Sequence, residues 1–211
     1  MNSVWSGFVR QCVAAAGMIL GLTLILGVAY PAAVWAISRV NTAGAEGSQV
    51  SDAAGCPVGS TLIGVDPRVE PGTPDPYLHA RVLGAAGEPM ATGDPSASAA
   101  SNQGPNSEVL LAGVTARREL IARREGVTPA QVPADAVTGS GSGLDPHITP
   151  AYAELQVARL ARENGRTPAE VRGMIDDHTE GRQLGFLGQP RVNVLEVNLA
   201  LGHAPPGCRA P

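Results

Sequence analysis

The stretch GMILGLTLILGVAYPAAVWAI, Gly17–Ile37, lies inside 28 consecutive residues, Gln11–Ser38, that carry no charged side chain. As a helix, a run of that length reaches about 42 Å at about 1.5 Å per residue, against a hydrocarbon core of about 30 Å. No helix of a small soluble domain needs so long an apolar run. The expected organisation is a short N-terminal segment over 1–10, a transmembrane helix over 11–38, a linker over 39–58 and a soluble domain over 59–211. A cleaved signal peptide is the competing reading, and Ala43-Gly44-Ala45 offers an A-x-A site. Signal cores usually span only about 7–15 residues, so the length favours an uncleaved anchor. Gly27 and Pro31 fall late in the span, where a membrane helix tolerates them if the freed backbone groups find partners. Gly17 and Gly21 form one G-x-x-x-G, which reads either as a helix–helix contact in the membrane or as ordinary membrane-helix composition. Arg10 flanks one side, and Arg39 flanks the other with Glu46 and Asp52 beyond it. The basic residues lean slightly toward an inside N-terminus, with the soluble domain outside.

Beyond the anchor there is chain enough for one modest domain. The 15 basic residues are all arginine, against 19 acidic ones, for a net charge of −4. Such a balance argues against nucleic acid as a partner, since phosphate neutralisation needs a basic surface. Without lysine there is no Walker A loop, no lysine Schiff base and no kinase-type lysine. The chain alone is therefore not expected to hydrolyse ATP or to act as a kinase. Cys56 and Cys208 flank the soluble region, where they form either a disulfide joining its ends or two free thiols. Cys12 sits at the edge of the membrane segment. No Cys/His spacing suits a structural zinc site.

Local signals place elements of both kinds, hence a mixed α/β domain. Ser60–Val65 reads as a short strand. Residues 66–105, rich in Pro, Gly, Ser and Ala, read as loop unless they pack on something else. A helix is expected over Glu108–Glu125, capped by Ser107 and stopped by Gly126, with Leu110, Val114, Arg117 and Ile121 near one face. A second follows Thr149-Pro150 and runs to about Asn164, with Gly165 as its stop. A third starts at Thr167-Pro168, where Thr167 and Glu170 make a capping box. Val192–Leu201 reads as a strand whose alternation slips between Val194 and Leu195. Ala122–Val132 and Ala161–Val171 share the pattern A-R-x-x-G-x-T-P-A-[Q/E]-V, 39 residues apart. A duplicated helix–turn–helix would explain the echo, and so would shared stop-and-start grammar.

The most unusual polar stretch is TGSGSGLDPHITP, Thr138–Pro150. Ser142, Asp145 and His147 lie close in sequence, but one short loop seldom sets nucleophile, base and orienter in line. Nor is Gly139–Gly143 a G-x-S-x-G elbow, because its centre is Gly141. A Gly/Ser loop ahead of a helix can hold an anion, which makes Ser140 and Ser142 candidate nucleotide contacts. The alternative is a rigid turn in which Ser140, Asp145 and His147 satisfy local backbone groups. Ser101–Ser107 is a turn-forming cluster. Tyr77, His79 and Arg81 alternate, and so share one side of an extended segment. Phe186, one of two phenylalanines, either anchors the core or meets a partner.

Together these stretches resemble the KdpC family, the C subunit of the bacterial high-affinity potassium-transporting P-type ATPase. The blocks that carry the resemblance are Tyr30-Pro31 in the anchor, GSTLIG (59–64), YLHAR (77–81), SNQGPNS (101–107), VTGSGSGLDPHITPA (137–151) and GFLGQPRVNVLEVNLAL (185–201). They follow the family's order over nearly the whole chain. The YLHAR block departs from the family's Y-F-H-G-R-P-S at Leu78, Ala80 and Val82. The resemblance implies a single-pass, non-catalytic subunit of the plasma membrane, in contact with lipid and with two other subunits. One of these is a channel-like subunit that binds potassium, and the other is a P-type pump subunit that hydrolyses ATP. It further implies a catalytic chaperone that raises the pump subunit's ATP affinity, with no tightly bound cofactor beyond shared ATP. Gln156 matches a family glutamine proposed to contact nucleotide. Gly17, Gly21, Asp145, His147 and Phe186 are the candidate partner contacts. The other functional readings are an outer domain guarding ion entry, a membrane-tethered hydrolase, and a binding module, tethered or released at Ala45.

Overall fold

The computed structural model describes residues 2–52, 55–64, 66–70, 72–81 and 94–203. They fall into two compact units, Met1–Ser48 and Gln49–Pro211. The first is one long helix. α1 (Asn2–Leu24) passes through a π turn (Ile25–Ala29) into α2 (Tyr30–Ser38). A 3-10 turn (Arg39–Asn41) and α3 (Thr42–Ala45) follow. The π turn has a covalent cause. Pro31 has no N–H to give the carbonyl four residues back, and the Tyr30 amide bonds Ile25 O instead. The apolar, helical stretch Val4–Ala45 is long enough to cross a bilayer, and none of its side chains is buried. The helix expected over 11–38 thus lies within a longer helical stretch.

The stretch read as linker is not irregular. After α3 comes a hairpin of β1 (Gln49–Ser51) and β2 (Pro57–Ser60), antiparallel, with Gln49 opposite Ser60. The strand expected over Ser60–Val65 therefore ends where it was to begin. Ser60 turns the chain instead: its carbonyl takes the Ile63 amide at 3.2 Å and its Oγ the Leu62 amide at 3.1 Å. Cys56 is disulfide-bonded, whereas Cys12 is free and exposed. Cys208 lies outside the described residues.

The helical expectations hold to the residue at their caps. α4 (Glu108–Glu125) starts at Ser107 and stops at Gly126, whose φ is +69°. Next come a 3-10 turn (Pro129–Gln131), α5 (Ala134–Val137) and β3 (His147–Ile148). α6 (Pro150–Glu163) is capped by Thr149 and followed by α7 (Pro168–Asp177), where the Thr167–Glu170 capping box is closed. The chain finishes with β4 (Thr179–Glu180), β5 (Arg191–Asn193) and α8 (Val194–Ala200). The expected strand over Val192–Leu201 is thus half wrong. Asn193 ends the strand and caps a helix, its Oδ1 accepting from the Glu196 amide at 3.2 Å. The slip at Val194/Leu195 is the switch from period 2 to period 3.6, which turns Val194, Val197 and Leu201 inward.

The echo in sequence is shared grammar. Both Thr-Pro units close a capping box, but Pro133 stops the first after one turn while the second continues for ten residues. In the three-stranded antiparallel sheet β3-β5-β4, His147 pairs with Asn193 and Thr179 with Val192. Tyr152, Val157 and Leu160 of α6 are buried in one core with Ile121, Val171, Val192, Val197 and Leu78. Leu78 and Ala80 belong to the Pro-rich stretch 66–105, of which residues 71 and 82–93 lie outside the described residues; these two side chains are part of the core.

Candidate functional site

Residues 77–81 run extended between α6 and α8 without a strand on either side. Two side-chain amides take the place of strands. Asn198 accepts from the Leu78 amide at 2.7 Å and donates to its carbonyl at 2.9 Å. Gln156 does the same for His79, at 2.9 and 3.2 Å. The Ala80 amide goes to Asp66 Oδ1 at 2.7 Å. Buried backbone groups need partners, and here long-range side chains supply them.

The His79 ring lies between two carboxylates. Its Nδ1 is 3.0 Å from Asp66 Oδ2, and its Nε2 is 2.9 Å from Asp75 Oδ2. With an acceptor at each nitrogen the ring donates twice, which only the imidazolium can do. Burial works against that charge. Asp66, with the hydrogen bonds to Asp66 and Asp75, outweighs both the burial and the repulsion from Arg124, so the ring titrates above its ordinary range. Burial would raise the Asp75 carboxyl, but the His79 hydrogen bond and charge, with Arg159 and Arg124, bring it from 3.8 to about 2.

Arg159 extends the network. Its Nε donates to Glu125 Oε2 at 3.0 Å and its Nη2 to Gln156 Oε1 at 2.9 Å. Its Nη1 holds the carbonyls of Asp75 at 2.7 Å and Tyr77 at 2.9 Å. Arg124 joins Glu125 at 2.6 Å to the Tyr152 hydroxyl at 3.0 Å. Three acids (Asp66, Asp75, Glu125) thus meet three bases (His79, Arg124, Arg159). A buried set of charges is tolerable only with such pairing and hydrogen bonding.

The Ser/Gly loop is built locally. Ser140 Oγ accepts from the amides of Ser142 at 3.2 Å and Gly143 at 3.1 Å, and Ser142 Oγ from that of Leu144 at 3.1 Å. Asp145 Oδ1 takes the His147 amide at 3.0 Å, and its Oδ2 takes Arg81 Nη1 at 2.9 Å. Burial would raise the Asp145 carboxyl, but the His147 and Arg81 contacts hold it below its ordinary value. Gly143 has φ +77°, and a Cβ there would lie 2.5 Å from the Ala99 carbonyl oxygen.

Arg81 therefore joins the loop to the segment that Gln156 clamps. The Ser142 hydroxyl meets Ser140 and the Leu144 amide, while His147 Nδ1 lies 3.5 Å from Asp145; no hydrogen bond among the described residues joins Ser142 to His147. Gln156 has no accessible surface, and its amide faces His79, Arg159 and Tyr152. Gly17 and Gly21 lie in the N-terminal helix with open space where a Cβ would be. Phe186 is not core; it is 68% exposed on the β4–β5 loop beside Leu184 and Leu187. Asp66, Asp75, Glu125, Arg124 and Arg159 are absent from the sequence-derived candidates. The available signal was Tyr152, Gln156 and Arg159 at i, i+4 and i+7, a polar stripe on the face of α6 that also carries Leu160.

Residues 12–203 match the family model for KdpC, described as "K+-transporting ATPase, c chain". The chain is 44% identical to a potassium-transporting ATPase KdpC subunit of Kineococcus radiotolerans, over 98% of this chain and 100% of the relative. It is 45% identical to that of a Caulobacter species, over 91% of each, and 40% identical to that of Koribacter versatilis, over 90% and 92%.

Proposed function

The chain belongs to the KdpC family, and from that premise we propose that it is a non-catalytic accessory subunit of an ATP-driven, high-affinity potassium import complex. The observation that carries this reading is a match over residues 12–203, which takes in the anchor and the domain together. The chain assembles with a channel-like potassium-binding subunit and a P-type pump subunit in the plasma membrane. Its N-terminus lies in the cytoplasm and its soluble domain outside.

Its action on the pump is that of a catalytic chaperone: it raises the pump subunit's affinity for ATP. With the domain outside, this effect is transmitted through the other subunits. The burial of Gln156 supports an indirect route, since a side chain without accessible surface acts by holding residues 77–81. The same holds for Ser140 and Ser142, whose hydroxyls serve their own loop.

The test is co-purification from gently solubilised membranes of potassium-starved cells through a C-terminal tag. Recovery of a channel-like and a P-type pump subunit, with potassium-stimulated ATP hydrolysis, is the expected result. The ATP concentration for half-maximal hydrolysis should rise when the chain is removed. Recovery of the chain alone overturns the assembly reading, and an unchanged ATP dependence overturns the chaperone role.

A further inference from the structure

The apolar helix is longer than a bilayer requires, so something other than length must set its depth. Val4–Ala45 spans 42 residues, or about 63 Å at about 1.5 Å per residue, whereas about 20 residues cross a hydrocarbon core. The uncharged run Gln11–Ser38 still leaves a choice between its two ends. Gln11–Gly17 offers one large apolar side chain, Val13, while Pro31–Ile37 offers Val34, Trp35 and Ile37. Trp5 and Phe8, with ring centroids 6.0 Å apart, do not open the hydrocarbon span, because Arg10 would be drawn in behind them.

The C-terminal end of the helix carries a built polar cluster. The Arg39 guanidinium lies over the Trp35 ring, 5.4 Å from its centroid. Its Nη1 donates to Glu46 Oε1 at 2.7 Å, and its Nε and Nη2 donate to Ser38 Oγ at 3.4 and 3.3 Å. The Ser38 hydroxyl donates to the Trp35 carbonyl at 2.7 Å, which ties the cluster to the last turn of α2. The 3-10 turn and α3, which Asn41 caps, bring Glu46 to Arg39. All of these residues belong to the unit Met1–Ser48. An indole, apolar in its body and polar at one edge, suits the layer between acyl chains and water. An arginine already paired with a carboxylate brings no net charge to that layer.

We infer that Trp35, Ser38, Arg39 and Glu46 form a lipid-interface anchor that sets the depth of the helix, with the hydrocarbon span ending at Ile37. About 20 residues counted back from there place Met18–Ile37 in the hydrocarbon. That stretch holds ten Val, Leu, Ile and Met side chains. The π turn Ile25–Ala29 falls near its middle. Cys12, free and exposed, precedes Met18 by six residues. It therefore lies about 9 Å outside the hydrocarbon, at the opposite face of the bilayer. Were the whole uncharged run immersed instead, Cys12 would sit just inside the hydrocarbon edge.

The native thiol of Cys12 reads that depth directly. The full chain is placed in phosphatidylcholine nanodiscs, whose two faces are both open to a charged maleimide, and the labelling of Cys12→Ser is subtracted as background. Cys12 should react many-fold faster than a thiol placed by Leu24→Cys in the Cys12→Ser chain. Trp35→Ala with Arg39→Gln should release the end of the helix, let the uncharged run centre itself and slow Cys12 several-fold. A Cys12 as slow as position 24, or one whose rate is unmoved by the double substitution, overturns the inference. The inference rests on the membrane reading of the chain, and the two fail differently. A chain that does not co-elute with the discs removes both, whereas co-elution with a protected Cys12 removes the anchor alone.

Discussion

Residues 138–146, between α5 and β3, and residues 75–81 both lie outside regular secondary structure and are held in place by opposite means. In the Ser/Gly loop the partners lie two or three residues away: Ser140 with Ser142 and Gly143, Ser142 with Leu144, Asp145 with His147. In the other segment the partners are Asp66, 13 to 14 residues away, and Gln156 and Asn198, 77 and 120 residues away. One stretch folds on itself, and the other is ordered only when α6 and α8 are already in place. A substitution in the first should act locally; one in the second should loosen everything that residues 75–81 connect.

The sharpest way to break the contrast is at Arg159. Removing one member of a buried ion pair leaves the other charge uncompensated, at a typical loss of about 3–5 kcal/mol. In Arg159→Met the carboxylate of Glu125, which has no exposed side-chain surface, keeps only Arg124. The carbonyls of Asp75 and Tyr77 lose their donor as well. Urea unfolding of the full chain in detergent should show a loss of that size, and adding Glu125→Gln should recover part of it. A loss under about 1 kcal/mol, the range of exposed pairs, would put the network at the surface.

Acidity tests the same segment. Because the folded His79 titrates above its ordinary 6.5, its stabilisation is complete below 6.5 and is lost as pH rises through the folded value. Asp75, brought from 3.8 to about 2, stabilises above 3.8 and loses that contribution as pH falls toward about 2. The urea midpoint should therefore be highest between these limits and fall on both sides. His79→Gln should lower the whole curve and remove the alkaline decline. NMR of ring-labelled His79 at neutral pH should show both ring nitrogens protonated; a neutral tautomer would contradict the two-carboxylate geometry.

A smaller loss is expected where the Ser/Gly loop meets a remote segment. In Gly64→Ala the new methyl group must move the backbone at Asp145, which it would approach to 2.3 Å. Overpacking of this kind typically costs about 1–3 kcal/mol. The Arg81–Asp145 contact should loosen with it, read as a rise in the Asp145 titration midpoint toward the usual carboxylate range.

The same division between local and remote partners governs what could be read from the chain. The anchor, the ends of α4, α6 and α7, and the capping boxes are written within a few residues of where they act. The strand-to-helix switch at Asn193 also left a mark, a slip in alternation. In sequence that slip reads as a defect in a strand, because an Asn cap looks the same as an Asn in a turn. The network around His79 left almost none. Asp66 and Asp75 look like loop acids in a Pro-rich stretch, and nothing local says that Arg159 of α6 will sit over them. Gln156 was legible only through resemblance, and its burial gives that glutamine a structural task the motif does not announce.

The smallest expected effect isolates local grammar from its context. Thr128 and Thr167 open the same T-P-A-[Q/E] box, with side-chain bonds of 2.9 Å to Gln131 and 2.8 Å to Glu170. Loss of a Thr cap typically costs about 0.5–2 kcal/mol of helix stability. Behind Thr167 stand ten residues of α7, with Val171 and Ile175 packed into the core. Behind Thr128 stands a single 3-10 turn cut off by Pro133, so less structure depends on the cap. Thr167→Ala should therefore lower the urea midpoint of the full chain more than Thr128→Ala. At Thr167 the Glu170 carboxylate also faces the positive end of the helix and the Thr167 amide, bonds that keep its carboxyl below the ordinary value. Part of that cap should fade as Glu170 is protonated, whereas Gln131 has no proton to gain. The difference between the two variants should accordingly narrow in acid, and a gap that stays constant with pH would mean that helix length alone sets it.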